Sequence, residues 1–164
     1  MNFVATLDIL EADLRQPDHA DAVVELLDAY SRDPNANGHG LSDGVKRDLV
    51  PGLRAHPGTH VFLAYRAGRA VGIAVCFRGF STFAARPLLN VHDIAVVPEH
   101  RGAGIGRALM TRVEECARSL GCCKITLEVL ENNARARALY ASIGFGPYEL
   151  AHDTGRALFW QKEL

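Results

Sequence analysis

The stretch Val91–Arg107 decides the fold, and it reads VHDIAVVPEHRGAGIGR. Its apolar start predicts a buried strand, which Pro98 ends because proline cannot donate to a sheet ladder. Beyond it, apolar residues recur with helical spacing as far as Leu120, and Gly121 suits a left-handed helix end. Between strand and helix lies a glycine-rich loop, formed by Arg101, Gly102, Ala103, Gly104, Ile105, Gly106 and Arg107. The order is therefore strand, glycine loop, helix.

This loop predicts a phosphate site, because the free N–H groups of a helix start attract phosphate. The nucleotide-hydrolase pattern G-x-x-x-x-G-K-[ST] is excluded, since no Lys-Ser or Lys-Thr pair occurs in the chain. The dinucleotide pattern G-x-G-x-x-G also fails, because Arg107 occupies its third glycine position. The loop instead follows R-x-x-G-x-G, with Arg101, Gly104 and Gly106 at the fixed positions. A plain strand-to-helix turn is the alternative interpretation.

Size and charge predict one globular domain, residues 1–164. Nearly half the residues are apolar (48%) and the net charge is −1, which argues against disorder and against a dedicated nucleic-acid binder. Residues 1–50 carry ten acidic and four basic side chains, whereas residues 51–164 carry nine acidic and fourteen basic ones. The basic part suits a polyanionic cosubstrate, and the acidic part would attract a cationic amine. Ordinary solvated helix faces are the alternative explanation of this uneven distribution of charge.

The four cysteines predict no metal site, because no paired C-x-x-C spacing occurs. We expect Cys76, Cys116, Cys122 and Cys123 to be structural thiols in a reducing compartment. No apolar run approaches the length of a membrane span, and the start lacks the features of a signal peptide. These features predict a cytoplasmic protein with no membrane partner.

Hydrophobic patterning along the chain predicts an α/β fold with about six or seven strands in a mixed, twisted sheet and about four helices. The helix from Pro17 ends at Arg32-Asp33-Pro34, and Ser42 caps the next one. Strands 89–97 and 124–130 flank the central helix as parallel neighbours. The other predicted strands cover 3–10, 60–65, 70–77, 145–150 and 157–161, with a loop at 78–87.

A second motif follows the central unit: Asn133 to Phe145 matches N-x-x-A-x-x-L-Y-x-x-x-G-F at each fixed position. Together with the glycine loop and the element order, this motif resembles the GNAT superfamily of acetyl-CoA-dependent N-acetyltransferases. The resemblance covers residues 90–145. The segment Phe80–Pro87, followed by His92-Asp93, resembles the diamine and small-amine branch of that superfamily.

The resemblance implies a cytoplasmic enzyme that moves an acetyl group from acetyl-CoA to a small-molecule or peptide amine, and a homodimer. It implies that the glycine loop binds the pyrophosphate and that Asn133 contacts the pantetheine arm. It also implies that the backbone of the strand around Ile94, Ala95 and Val96 pairs with that arm. Tyr140 would donate a proton to the leaving sulfur, from the edge of a helical face buried by Leu139 and Ile143.

The catalytic base is open on sequence grounds. The related enzymes often carry Glu-Asp where this chain has His92-Asp93. Strand alternation predicts that His92 shares a face with Ile94 and Val96 while Asp93 faces the other way. We expect His92 to be the base, with Asp93 as the alternative, and both to contact the substrate together with Tyr30. A noncatalytic acyl-CoA-binding module is the competing function, and it would not need Tyr140.

Overall fold

A computed structural model describes residues 6–34, 36, 38–148 and 157–164. These residues form two compact units that divide after Leu130, and each unit is described by itself. The first contains the sheet, and its bounds are β1 (Leu7–Glu11), α1 (Pro17–Ser31), α2 (Asp43–Ala55), β2 (Thr59–Arg66), β3 (Arg69–Ser81), β4 (Arg86–Val96), α3 (Ile105–Ser119) and β5 (Ile125–Leu127). The second contains α4 (Ala134–Ser142).

The five strands form one sheet in the order β1-β2-β3-β4-β5. The first three pairings are antiparallel, and β5 joins β4 in parallel. The prediction that the strands on either side of α3 are parallel neighbours is confirmed. The α/β class is also confirmed, with five strands in the described residues rather than six or seven.

Helices cover both faces of the sheet. Helices α1 and α2 bury Val23, Leu26 and Leu53 against one face, on which Ile73 and Val75 of β3 also lie. Helix α3 packs on the other face, and its Leu109 and Val113 are fully buried. Its end is the predicted left-handed turn: Gly121 has φ 68°, and its N–H donates to the Arg118 carbonyl.

The predicted loop at 78–87 was wrong, because β3 and β4 continue as a hairpin through it. Ser81 pairs with Arg86, and Phe80 pairs with Pro87. The hairpin extends beyond its neighbours, since β5 begins to pair only at Leu89. Pro87 is tolerated there because the strand pairing with β5 begins only beyond it, and its carbonyl still accepts from the Cys123 N–H at 2.8 Å.

Two further predicted strands differ from the structure. Residues 145–148 and 157–161 are not strands, and the rest of the predicted closing hairpin, 149–156, lies outside the described residues. The first predicted strand also begins outside them, at 3–5. Strand β5 is shorter than predicted because residues 128–130 leave the sheet and are exposed.

Candidate functional site

The glycine loop leads into the N-terminus of α3. Gly102 and Gly104 have φ of 85° and 80°, values that favour glycine over any residue with a Cβ. Gly104 is the residue before the helix, and within the described chain no side chain caps it. The N–H groups of Ile105 and Gly106 have no intrahelical acceptor and point out of the helix with its positive dipole end. This arrangement fits a phosphate group. Ala103 and Arg107 are exposed beside it.

Close packing of α3 on the sheet holds that terminus in place. Ile105 is 1% exposed, and a Cβ added to Gly72 of β3 would lie 3.2 Å from Ile105 Cγ2 and from Leu109 Cδ1. Any side chain at Gly72 would therefore push the first turns of α3 away from the sheet. Sequence reasoning missed Gly72, although an isolated glycine in an apolar strand is a known signal of close backbone approach.

The second half of β4 has an open edge next to the loop. In the described residues β5 pairs only with Leu89, Asn90 and Val91. The Val97 N–H donates to Val71 of β3 at 3.0 Å, and residues alternate in the direction of their backbone groups. The backbone groups of Ile94 and Val96 therefore point away from β3, towards the edge that β5 leaves open, while those of Ala95 point to β3.

Arg101 joins the end of this strand to the end of α1. Its Nε donates to the Val96 carbonyl at 2.9 Å, and its Nη2 lies 2.7 Å from Asp33 Oδ2. The Asp33 side chain is 13% exposed, so this ion pair is partly shielded from water. Arg101 thereby orders the loop entrance. The sequence contains no signal for its partner, because the two residues are 68 positions apart.

A cleft of about 350 Å³ lies between the end of α1 and the end of β4. Tyr30 and Asp33 line one side, and Ala95, Val96 and Arg101 line the other. Burial, and then the negative charges of Asp93 and Asp33, raise the pKa of the Tyr30 phenol. The phenol therefore stays neutral in the cleft and can donate one hydrogen bond.

A β-bulge at His92 changes the faces on which the two candidate bases lie. Asp93 pairs with Val75 and Val91 pairs with Cys76, so His92 is the extra residue in β4. The His92 ring packs edge-on against Phe77 with 5.4 Å between centroids. The prediction that His92 and Asp93 face opposite ways was wrong: both lie on the side covered by α1 and α2, because the bulge interrupts the alternation.

The two residues differ in exposure. His92 is exposed, whereas Asp93 is partly buried. Burial raises the pKa of the Asp93 carboxyl, and the neighbouring His92 opposes this shift. A carboxylate in such a place favours a cation beside it, because a positive charge offsets the lost hydration.

The second unit holds the other two predicted residues. Asn133 caps α4: its Oδ1 accepts from the Ala136 N–H at 3.1 Å. Tyr140 is 8% exposed, and its ring lies 5.9 Å from that of Phe145. The expectation that Tyr140 lies at the edge of a face buried by Leu139 and Ile143 was wrong. The tyrosine is the buried member and the other two are half-buried, since Gly144 (φ 94°) turns the chain back and places Phe145 against the ring.

The first unit thus brings most predicted site residues to one strand end. The glycine loop, the open edge at Ile94 and Val96, and the cleft with Tyr30 adjoin one another through Arg101. His92 and Asp93 stand four and three positions before Val96 on β4. A helix start suited to phosphate beside an open strand edge is the arrangement expected of an α/β protein that binds an extended, phosphorylated ligand.

Comparison with known proteins identifies the family. Residues 20–145 match the acetyltransferase (GNAT) family, and the chain belongs to it. Glucosamine 6-phosphate N-acetyltransferase of Trypanosoma brucei brucei is 30% identical over 147 residues, which cover 87% of this chain and 94% of that protein. A thialysine N-epsilon-acetyltransferase of Bos taurus is 39% identical over 74 residues, 45% of this chain and 43% of its own length.

Solved structures agree on the fold. A probable acetyltransferase superposes with a TM-score of 0.77 at 20% identity, covering 95% of this chain and 99% of the other. AAC(6')-Iy in complex with the bisubstrate analogue CoA-S-monomethyl-acetylneamine superposes with a TM-score of 0.73 at 18% identity, covering 98% and 100%. The chain is accordingly an acyl-CoA N-acyltransferase whose cosubstrate is acetyl-CoA. In the described part of the chain, no helix has the length and apolar character needed to cross a membrane.

Proposed function

We propose that this enzyme transfers the acetyl group of acetyl-CoA to a small primary amine by direct attack. The observation that carries the proposal is the open edge of β4 at Ile94 and Val96, which leads to the uncapped start of α3. Acetyl-CoA supplies the reactive thioester together with the pyrophosphate and two amides of its pantetheine arm. The N–H groups of α3 suit the pyrophosphate, and the free N–H and C=O groups of Ile94 suit the amides. The Val96 N–H can then donate to the acetyl carbonyl oxygen, where negative charge develops.

The acceptor must lose a proton before it attacks. An alkylamine with a pKa near 10.4 is almost fully protonated at pH 7, and freeing it costs roughly 4–5 kcal/mol. We infer that Asp93 holds the ammonium form and that the neighbouring His92 takes the proton. The bulge supports this division of roles because it puts both side chains on one face, within reach of a single amine. Tyr30 and Asp33 would contact the same acceptor from the cleft.

Attack forms the bond from the amine nitrogen to the acetyl carbon and breaks the bond from that carbon to sulfur. The departing thiolate then needs a proton, and on the family resemblance Tyr140 donates it. Asn133 would contact the pantetheine arm in addition to capping α4. We infer that residues 1–164 act as one catalytic domain, as the family resemblance implies.

The relatives favour a small amine as acceptor. One relative is named for glucosamine 6-phosphate, an amino sugar phosphate, and another for thialysine, an amino acid analogue. The acidic character of residues 1–50 suits a cationic acceptor of this kind. A peptide amine is the other acceptor that the fold accommodates.

The test measures kcat/KM as a function of pH for a panel of small amines. The rate is monitored as release of the free CoA thiol. With the intact enzyme, kcat/KM should rise with pH through an inflection that belongs to the catalytic base. His92→Ala should remove that inflection. Asp93→Asn should keep the inflection but raise the KM for the amine. An unchanged profile in His92→Ala would show that His92 is not the base. Binding of acetyl-CoA without turnover of any amine would favour the noncatalytic module.

We infer a homodimer from the C-terminal segment. Leu158, Phe159 and Trp160 are 71%, 79% and 82% exposed, an unusual run of large apolar side chains facing water. A second copy of the chain would cover them. Light scattering at micromolar concentration should give twice the mass of the chain, and a monomer would contradict the inference.

A further inference from the structure

Three side chains that the acetyl-transfer reaction does not use converge beneath α3. They are Glu11 at the end of β1, His60 on β2 and Cys116 on α3. Their ligand atoms all lie within 4.8 Å of one another. His60 Nδ1 is 2.7 Å from Glu11 Oε1 and 3.7 Å from Cys116 Sγ.

The backbone dictates this convergence. Glu11 pairs with Phe62, so His60, two residues before Phe62, lies on the same face of the sheet and diagonal to Glu11. Cys116 follows Leu109 and Val113 on the buried face of α3, at helical spacing, and is 8% exposed. Since all three come from packed elements, the cluster does not depend on a mobile loop.

The contacts exclude a relay of the kind used by nucleophilic cysteines. In such a relay the histidine receives the thiol proton on one ring nitrogen and is oriented by a carboxylate through the other. Here Glu11 and Cys116 both approach Nδ1. An imidazole cannot pass a proton between two partners of the same nitrogen, so the trio is unsuited to this chemistry.

A thiolate, an imidazole and a carboxylate around one point suit a divalent transition metal. Magnesium and calcium prefer sites built from oxygen alone, whereas this donor set suits Zn²⁺. Ligand atoms in a tetrahedral zinc site lie roughly 3.2–3.8 Å apart, given bond lengths of about 2.0–2.3 Å. The ligand atoms here lie 2.7 Å, 3.7 Å and at most 4.8 Å apart, so each distance departs from that range by about 1 Å or less.

We propose that Glu11, His60 and Cys116 bind one Zn²⁺, with water as the fourth ligand. The Glu11 side chain is 44% exposed, so water reaches that side of the cluster. Binding replaces the Cys116 thiol proton with the metal and releases the proton to solvent. The ion would tie the edge strand β1 and its neighbour β2 to α3, and so stabilise the helix whose other end forms the glycine loop.

The experiment uses the full chain, stripped of metal and reduced, and titrates it with Co²⁺ alone. One Co²⁺ per chain should bind with a thiolate-to-metal charge-transfer band and the intense d–d absorption of a tetrahedral site. Zn²⁺ should displace it and raise Tm by linkage. Cys116→Ser should abolish the charge-transfer band, and the matched variant Cys123→Ser should keep it.

Glu11→Gln is the second variant. The Glu11 side chain is partly exposed, and replacing its carboxylate by an amide of similar shape disturbs the packing little. It should weaken Co²⁺ binding at least roughly tenfold. The proposal is overturned if Co²⁺ does not saturate at one equivalent, if the band survives in Cys116→Ser, or if Cys123→Ser abolishes it. The readouts do not involve acetyl transfer, so the result is independent of the proposed function.

Discussion

Helices α3 and α4 each follow a motif, but their first turns are built in different ways. Helix α3 begins after Gly104 with no side-chain cap among the described residues, and it buries six side chains. Helix α4 begins after Asn133, whose side chain caps it, and it buries only Tyr140. Core packing is enough to hold α3 without a side-chain cap, so its first N–H groups remain available to a ligand. Helix α4 lacks such packing and uses a local cap.

The largest expected effect is on the buried residue of α4. Tyr140→Phe keeps the ring and its contact with Phe145 but removes the hydroxyl. If that hydroxyl protonates the leaving sulfur, kcat should fall by about 10²–10⁴ while the Kd for acetyl-CoA stays unchanged. Steady-state kinetics and calorimetry measure the two quantities. Tyr148→Phe, an exposed tyrosine of the same unit, should have no effect. Full activity of Tyr140→Phe would mean that α4 contributes no proton.

The uncapped turn of α3 can be tested with a charge. Gly106→Asp places a carboxylate at the helix start without the strained φ that a substitution at Gly104 would impose. Lost hydrogen bonds and repulsion of the pyrophosphate should raise the Kd for acetyl-CoA about tenfold to a hundredfold. Gly52→Asp, at an open position in α2, makes the same change far from the loop and should leave the Kd unchanged. Equal affinity of both variants would remove α3 from the cosubstrate site.

The cap of α4 predicts a smaller effect, on stability. Asn133→Ala should cost about 1 kcal/mol, which for a chain of this size lowers Tm by about 2–4 °C. Ser42→Ala removes the equivalent cap of α2 and is the matched comparison. Asn133→Ser keeps a capping oxygen and should restore Tm. If Asn133→Ser nevertheless weakens acetyl-CoA binding, the amide has a second role towards the pantetheine arm. An unchanged Tm in Asn133→Ala would show that α4 does not depend on its cap.

The smallest expected effect is on folding stability, and it comes from the partly buried Asp93 carboxyl in the first unit. Burial raises the pKa of Asp93 above its usual 3.8 in the folded chain, so ionising it disfavours folding. The native protein therefore loses stability as the pH rises from 3.8 through the raised pKa of Asp93. Asp93→Asn should be more stable than the native chain at pH 7, and the difference should narrow as the pH falls towards 3.8. Denaturant titrations at several pH values measure this. Asp48→Asn, at an exposed aspartate, is the control, and a difference that does not vary with pH would contradict the account.

Much of the site was predictable because its signals are local. The glycine loop, the apolar spacing of α3, the Ser42 cap and the Gly121 turn each involve a few consecutive residues. Hydrogen bonds within one helical turn and the conformational freedom of glycine act over that distance. The order of elements then implied parallel neighbours on either side of α3, because a connection through a helix returns the chain in the same direction.

The sequence by itself therefore determined the family, the glycine-rich loop and the helices. Only the tertiary structure decided which strands end early and which residues face one another. The bulge that moves His92 to the side of Asp93, the open edge left by the short β5, and the approach of Glu11 to Cys116 all depend on pairing between distant segments. No local pattern encodes the register of such a pairing, and a shift of one residue reverses the face of every side chain that follows.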